Sequence, residues 1–338
     1  MKGIKVLCAA AMAVTLASCS SKQAATTGSD TTNELTKVTL MLDYTPNTNH
    51  TGFYVALDKG YYKDAGLDVE IIEPGDNATT SMVASNKANF GVSYQEDVTY
   101  ALTSEDPLPI KTIATIIQHN TSGFVSLKSA GINSVKDFEG KTYAGWGAPS
   151  EEAVIKAVMS AAGADFDKLT IVGADGSGIA GLSDQVGANK VNLSWEFYGW
   201  AVTQAMMDGY DVNYMPLNEL DERLDYYTPV IITNNEMLEK NPEVVQKFMD
   251  ATKKGYEYAI DNVDDAAQIL HDTALKDTDM DFLKASQKYL SSEYAKDADS
   301  WGVMKDSVWD NYTNFMYEYG LIDHKISASE QYTNEFVK

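Results

Sequence analysis

Residues 41–72, MLDYTPNTNHTGFYVALDKGYYKDAGLDVEII, decide the fold. The apolar run ending at Leu42 has the length of a buried strand. Asp43 to His50 is dense in Asn, Thr and Pro and reads as a loop. Phe53, Val55, Ala56 and Leu57 supply the apolar part of a short helix. Gly60 and Gly66 punctuate its exit, and Leu67–Ile72 alternates toward a second strand. Polar side chains at the carboxyl end of a strand in such an α/β unit stand where open sheets bind ligands.

The same rhythm continues outward. Val38–Leu42, Val69–Ile72, Phe90–Tyr94 and Thr112–Ile117 are strand candidates, with helices near Gly52–Lys59, Thr79–Asn86 and Asp97–Leu102 between them. This alternation predicts a parallel α/β sheet. A second set follows His119: strands over Gly123–Leu127, Thr142–Ala144, Leu169–Val172 and Val191–Ser194, and a helix over Glu151–Ala162 with Ser150 as its N-cap. Tyr227–Thr233 reads as one more strand. Helices then follow over Glu243–Asn262, with Pro242 at the first position, and near Ala266–Thr273, Asp281–Leu290 and Trp301–Tyr319. The aromatic residues of the last segment, from Trp301 to Tyr319, read as packing on the first lobe. A chain of this length exceeds one comfortable core, so two lobes are expected. Segments near 117–123 and 225–232 read as crossings between them.

The first residues read as an export signal. Lys2 and Lys5 are a basic start, and Val6–Leu16 is an apolar stretch too short to span a bilayer. Leu16-Ala17-Ser18-Cys19 matches a bacterial lipobox, which predicts a signal peptide over 1–18 and lipid attachment at Cys19. Residues 19–35 are rich in Ser, Thr, Ala and Gly and read as a flexible tether. Cys8 and Cys19 are the only cysteines, so the exported domain has no disulfide or thiol chemistry. The formal charge of −23 argues against nucleic acid and anionic lipid as partners. Arg223 is the sole arginine and is flanked by Asp221, Glu222 and Asp225. A ligand clamped by an arginine fork is therefore not expected, and a neutral or cationic ligand is.

Tyr44, Pro46, Asn47, His50, Gly52 and Tyr54 nearly complete a pattern, aromatic-x-Pro-Asn-x-x-His-x-Gly-x-Tyr. In this the chain resembles the THI5/NMT1-like substrate-binding proteins of ABC importers, of the thiamine-precursor type. The resemblance implies a type II periplasmic-binding-protein fold, with two α/β lobes joined by a double-crossover hinge. Lobe 1 would be 36–118 plus 230–338 and lobe 2 would be 119–229. It also implies a monomer outside the cytoplasm, held to the membrane by its lipid, that passes a small molecule to a permease and its ATPase. The expected ligand is a thiamine-related aminopyrimidine of the hydroxymethyl or formylaminomethyl type. No cofactor and no metal are expected.

Ten residues are candidates for ligand contact. Asp43 either accepts from an amino group or bonds its own loop. Asn47 and His50 either read a heterocycle's edge or cap the following helix. Tyr44 either stacks on a ring or packs at the strand end. Tyr94 and Gln95 stand at a strand end that faces the cleft in the family, whereas Glu96 reads as a helix starter. Trp146 lies in a Gly-rich loop, Gly145 to Glu151, of a kind that can hold an anion. The pyrimidine-synthase relatives carry a lysine there for phosphate; this chain has Pro149, Glu151 and no base, which argues against a phosphorylated ligand. Trp195, Glu196 and Tyr198 follow the strand Val191–Ser194. The resemblance assigns an acid in this region to the pyrimidine, here Glu196, and a surface glutamate is the alternative.

An enzyme is not expected. The synthase relatives carry a Cys-rich iron motif that this chain lacks, and His50, His119, His271 and His324 have no metal-ligand spacing. Other readings of the same fold are a receptor for riboflavin, an alkanesulfonate or another small organic, and a sensor or adhesin lipoprotein without transport.

Overall fold

The computed structural model describes residues 34–75 and 78–337. The signal peptide, Cys19 and nearly all of the tether expected from the sequence lie outside the described residues. Among those described, no helix is long and apolar enough to cross a membrane.

Among the described residues, ten strands form two five-stranded sheets. In chain order they are β1 (Thr36–Met41), β2 (Leu67–Ile72), β3 (Phe90–Ser93), β4 (Ile110–Thr115), β5 (Ser122–Leu127), β6 (Thr142–Gly145), β7 (Thr170–Gly173), β8 (Leu193–Phe197), β9 (Val212–Pro216) and β10 (Val230–Asn234). The first sheet has the order β2-β1-β3-β10-β4 and the second β7-β6-β8-β5-β9. In each, one strand runs against its neighbours: β10 beside β3 and β4, β5 beside β8 and β9. The chain crosses between sheets twice, after β4 and again before β10, which is the double crossover of the periplasmic-binding-protein fold. This is a mixed α/β architecture with two lobes.

The sequence reading misses β9. All five of its residues are half-buried and it pairs only with β5, so it lacks the inside–outside alternation that marks a strand. The expected helix over Trp301–Tyr319 starts at Asp306, and its packing corrects the expectation that it serves the first lobe alone. Trp309 packs with Val98 and Val230 of the first lobe. Tyr312, Phe315 and Met316 join the second lobe's core with Phe138, Ile155 and Leu217. The helix Asp306–Glu318 therefore straddles both lobes, and Tyr226, at the second crossing, stacks on Tyr312 with ring centroids 4.0 Å apart. Arg223 ties the same region together by pairing with Asp221 and with Glu318 of that helix.

The 43–50 loop is supported from beneath. The helix Thr51–Asp58 lies so close to the helix Pro242–Asp261 that a Cβ on Gly52 would run into the Tyr256 ring. Tyr256 donates its hydroxyl to the Asn49 carbonyl at 2.7 Å. Thr48 and Thr51 bond Ser286 and Gln287 of the helix Met280–Glu293, both at 2.6 Å. Thr48 and Thr51 are buried anchors to residues more than two hundred positions away.

Candidate functional site

In the first sheet, β1 sits between β2 and β3, and the chain turns in opposite directions from β1 and β3. In the second, β6 holds the same place between β7 and β8. Crevices outside the carboxyl ends of strands at such reversals are where open α/β sheets bind ligands. Asp43 and Tyr94 follow β1 and β3; Trp146 follows β6, and Trp195 and Phe197 lie at the end of β8. Tyr94 meets Trp146, Trp195 and Phe197 across one cavity of about 560 Å³. Tyr44, Tyr94, Trp146, Trp195, Phe197 and Tyr226 supply its aromatic walls. Tyr44 is 64% exposed and Trp146 is 60% exposed, so neither ring is spent on core packing. Trp146 leans on Trp195 with centroids 5.1 Å apart.

The charged side chains lining this cavity are Glu96 and Asp97, and no Lys, Arg or His is among its lining residues. Asp97 is open to the cleft yet enclosed by its walls. That burial, followed by the charges of Glu96 and Asp43, pushes its carboxyl up to about 6. Glu96 is raised too, chiefly by burial, against hydrogen bonds from Tyr312 and Ser150 that favour its charged form. An adjoining pocket of about 290 Å³ is lined by Asp43, Tyr44, Tyr94 and Asp97.

Asp43 is clamped. Its Oδ2 accepts the Tyr94 hydroxyl at 2.7 Å, and its Oδ1 lies 2.7 Å from Nε2 of His50. His50 is fully buried, and its Nδ1 accepts the Asn47 N–H at 3.2 Å, leaving Nε2–H to donate to Asp43. Burial works to raise the Asp43 carboxyl. The attraction and hydrogen bond of His50, with the Tyr94 bond, outweigh it and leave the group below its ordinary range.

Three candidates stand away from the lining of this cavity. Asn47 caps the turn Thr48–His50: its Oδ1 accepts the Asn49 N–H at 2.9 Å and its Nδ2 donates to the Thr45 carbonyl at 3.0 Å. Gln95 is wholly buried and bonds protein at both ends of its amide, accepting from the Tyr227 N–H at 2.9 Å and donating to the Val308 carbonyl at 3.2 Å. Tyr198 begins a helical turn after β8 and swings away from the cleft, to lie 4.6 Å from Tyr289 and 5.1 Å from Tyr214, centroid to centroid. It lines a separate cavity of about 550 Å³ with Met206, Met207 and Lys288. His50 acts through Asp43 and lines no part of the cleft cavity.

Glu196 stands apart from the aromatic slot. The expected strand over Val191–Ser194 runs instead from Leu193 to Phe197, so Trp195 and Glu196 are successive residues within it and point to opposite faces. Glu196 lines a second-lobe compartment of about 250 Å³ with Ser194, Asp175 and Ser177, and this compartment shares Trp146 and Trp195 with the slot. Burial raises the Glu196 carboxyl, opposed by a 3.0 Å bond from the Ser194 hydroxyl. The indole N–H of Trp195 is buried without a protein partner.

Glu96, Asp97, Phe197 and Tyr226 line the slot and were not among the ten candidates. Two acids in the first turn of the helix Gln95–Thr103 already have an ordinary role at a helix start, which hides any other. Ser150 is another such case. The helix begins at Pro149 with Ala148 as its N-cap, so the Ser150 hydroxyl is free to bond Glu96. Among the described residues, no group of three or more His, Cys, Asp or Glu is arranged to hold a metal ion.

The family model described as NMT1/THI5 like matches residues 47–266. The chain is 30% identical to a formylaminopyrimidine-binding protein of Halalkalibacterium halodurans, over 80% of this chain and 79% of that one. It is 24% identical to the riboflavin-binding protein RibY of Chloroflexus aurantiacus, over 90% and 86%. It is 22% identical to a 4-amino-5-hydroxymethyl-2-methylpyrimidine phosphate synthase of Legionella pneumophila, over 89% and 92%. Among solved structures it is similar to the alkanesulfonate-binding protein SsuA of Xanthomonas axonopodis bound to MOPS, with a TM-score of 0.66 at 10% identity, covering 89% of this chain and 99% of that one. The strand-end loops, the two sheets and their double crossover are thus those of a known group, and the chain belongs to the NMT1/THI5-like family of the periplasmic-binding-protein fold.

Proposed function

We propose that this protein is the extracytoplasmic, lipid-anchored receptor of an ABC importer and that it captures an aminopyrimidine in the interlobe cleft. The observation that carries this reading is the lining of the 560 Å³ cavity: six aromatic side chains, two carboxylates and no cation. Flat rings are held by offset stacking on aromatic faces. Carboxylates accept from exocyclic amino groups and ring N–H donors, and they repel sulfonate and phosphate. The 30% identity to a formylaminopyrimidine-binding protein supports the same ligand class. Tyr44 and Trp146 would sandwich the ring, and Asp97, with Asp43 held ready by His50 and Tyr94, would read its donor edge. Glu196 would receive a substituent reaching past Trp195. Closure of the lobes would then present the loaded form to a permease. No catalytic role is assigned to any residue.

Riboflavin is the second reading. The aromatic walls suit an isoalloxazine as well, and RibY matches over most of both chains. A thermal-shift screen separates the two, with hydroxymethylpyrimidine, its formylaminomethyl analogue, thiamine, riboflavin and taurine as ligands. Ligand well above its dissociation constant raises the melting temperature. A rise with the pyrimidines alone supports the proposal, a rise with riboflavin alone replaces the ligand, and no rise with any of them removes the ligand assignment.

A further inference from the structure

The loop Gly145-Trp146-Gly147 has the form of an anion-binding nest at the start of the thirteen-residue helix Pro149–Ala161. It already contains an anion, and that anion is the chain's own. Glu151 is only 2% exposed. Its Oε2 accepts the Gly147 N–H at 2.8 Å, and its Oε1 accepts the Trp146 N–H at 3.2 Å and the Tyr143 hydroxyl. A Cβ on Gly145 would collide with the same carboxylate, so the loop is shaped around it. Three donors converge on one buried acid, while the next residue of the loop's arm, Trp146, is a wall of the slot.

We propose that Glu151 is a resident anion that sets the receptor's specificity: its carboxylate occupies the place an oxyanion would take, excludes phosphorylated and sulfonated ligands from this loop, and holds Trp146 in position. Two consequences follow. A ligand bearing phosphate beside its ring meets a loop whose N–H donors are spent and whose occupant has the same charge. Removing the carboxylate leaves the Tyr143 hydroxyl and two backbone N–H groups unpaired around a vacancy, which a small oxyanion from solution can fill.

The test is Glu151→Ala in the full chain, melted in sodium formate, in inorganic phosphate, and in sodium chloride at the same ionic strength. The melting temperature of the variant is expected to rise with formate and phosphate above the chloride control, and that of the native protein is not. Aminopyrimidine affinity should fall at least tenfold in the variant and recover in formate. Glu151→Gln, which fills the space without charge, should respond to neither anion. A folded Glu151→Ala protein that ignores both formate and phosphate overturns the proposal. If that variant does not fold alone, refolding that requires formate supports it, and Glu151→Ser carries the same titration. The anion response needs no knowledge of the ligand; only the recovery of affinity rests on the proposed slot. Failure of every ring ligand on the native protein would therefore remove the slot and leave the anion test standing.

Discussion

Ser150 donates its hydroxyl to Glu96 at 2.7 Å, and the two residues belong to different lobes. Ser150 opens the helix after β6 in the second lobe; Glu96 opens the helix after β3 in the first. The other oxygen of Glu96 accepts the Tyr312 hydroxyl at 2.6 Å, from the helix that packs on both lobes. One carboxylate beside the cleft thus gathers both lobes and the straddling helix. Ser150→Ala should leave a Glu96 oxygen without its donor where the lobes meet, at a cost of about 1–3 kcal/mol. The expected result is a larger radius of gyration by solution scattering in the presence of ligand, and weaker binding. An unchanged radius and affinity would show that this bond does not bias closure.

Tyr44 makes a cleaner test of the slot, because its ring is mostly exposed without ligand. Tyr44→Ala should cost binding about 1–3 kcal/mol, as loss of a stacking aromatic does. The melting temperature of the ligand-free protein should not fall. A drop in that temperature would mean that the ring packs on its own lobe in solution.

Gln95 should behave in the opposite way. Gln95→Ala strands the buried Tyr227 N–H, which costs about 1–3 kcal/mol of stability. Denaturant titration should show the loss. Affinity measured below the new melting point should stay within about threefold of the native value, since a change of 1.4 kcal/mol is tenfold.

Asp97 gives the site a pH dependence of known sign. Its carboxyl is pushed up to about 6 from an ordinary value of 3.8. Between those values the folded protein binds the proton more tightly than the unfolded chain, so this group lowers stability as pH rises from about 4 to about 6. A ligand that donates to the ionised carboxylate should bind more tightly as pH rises through the same window. Glu96, Asp43 and Tyr94 face the same space and shape the curve. Asp97→Asn should flatten both profiles between about pH 4 and about pH 6, measured as melting temperature and as dissociation constant. A slope that survives the substitution belongs to another acid, with Glu96 first to be tested.

Glu196→Gln distinguishes the slot from its neighbouring compartment. If the ligand carries a substituent into the second-lobe pocket, affinity for the formylaminomethyl pyrimidine should fall at least tenfold by calorimetry. Affinity for the unsubstituted aminopyrimidine should change far less. Equal losses for both would place Glu196 at the ring itself.

Much of this protein was legible in its residues. The 41–72 stretch specified strand, loop, helix and strand, because period and turn chemistry are local properties of the backbone. The lone, doubly paired Arg223 pointed away from an anion clamp, and the aromatic strand ends at Tyr44, Trp146 and Trp195 pointed to the cleft. Facing direction was not legible. Asn47 and Gln95 are polar residues at strand ends like Tyr94, yet the first turns back to cap its own loop and the second is consumed by Tyr227, 132 positions away. Asp97 and Ser150 look like ordinary helix starters and stand at the cleft and the lobe contact. The sequence by itself determined the α/β class and most of the strands and helices, though not β9, whose residues lack alternation. Only the tertiary structure decided which polar groups face the ligand, because that depends on whether a distant segment arrives to satisfy each donor and acceptor first.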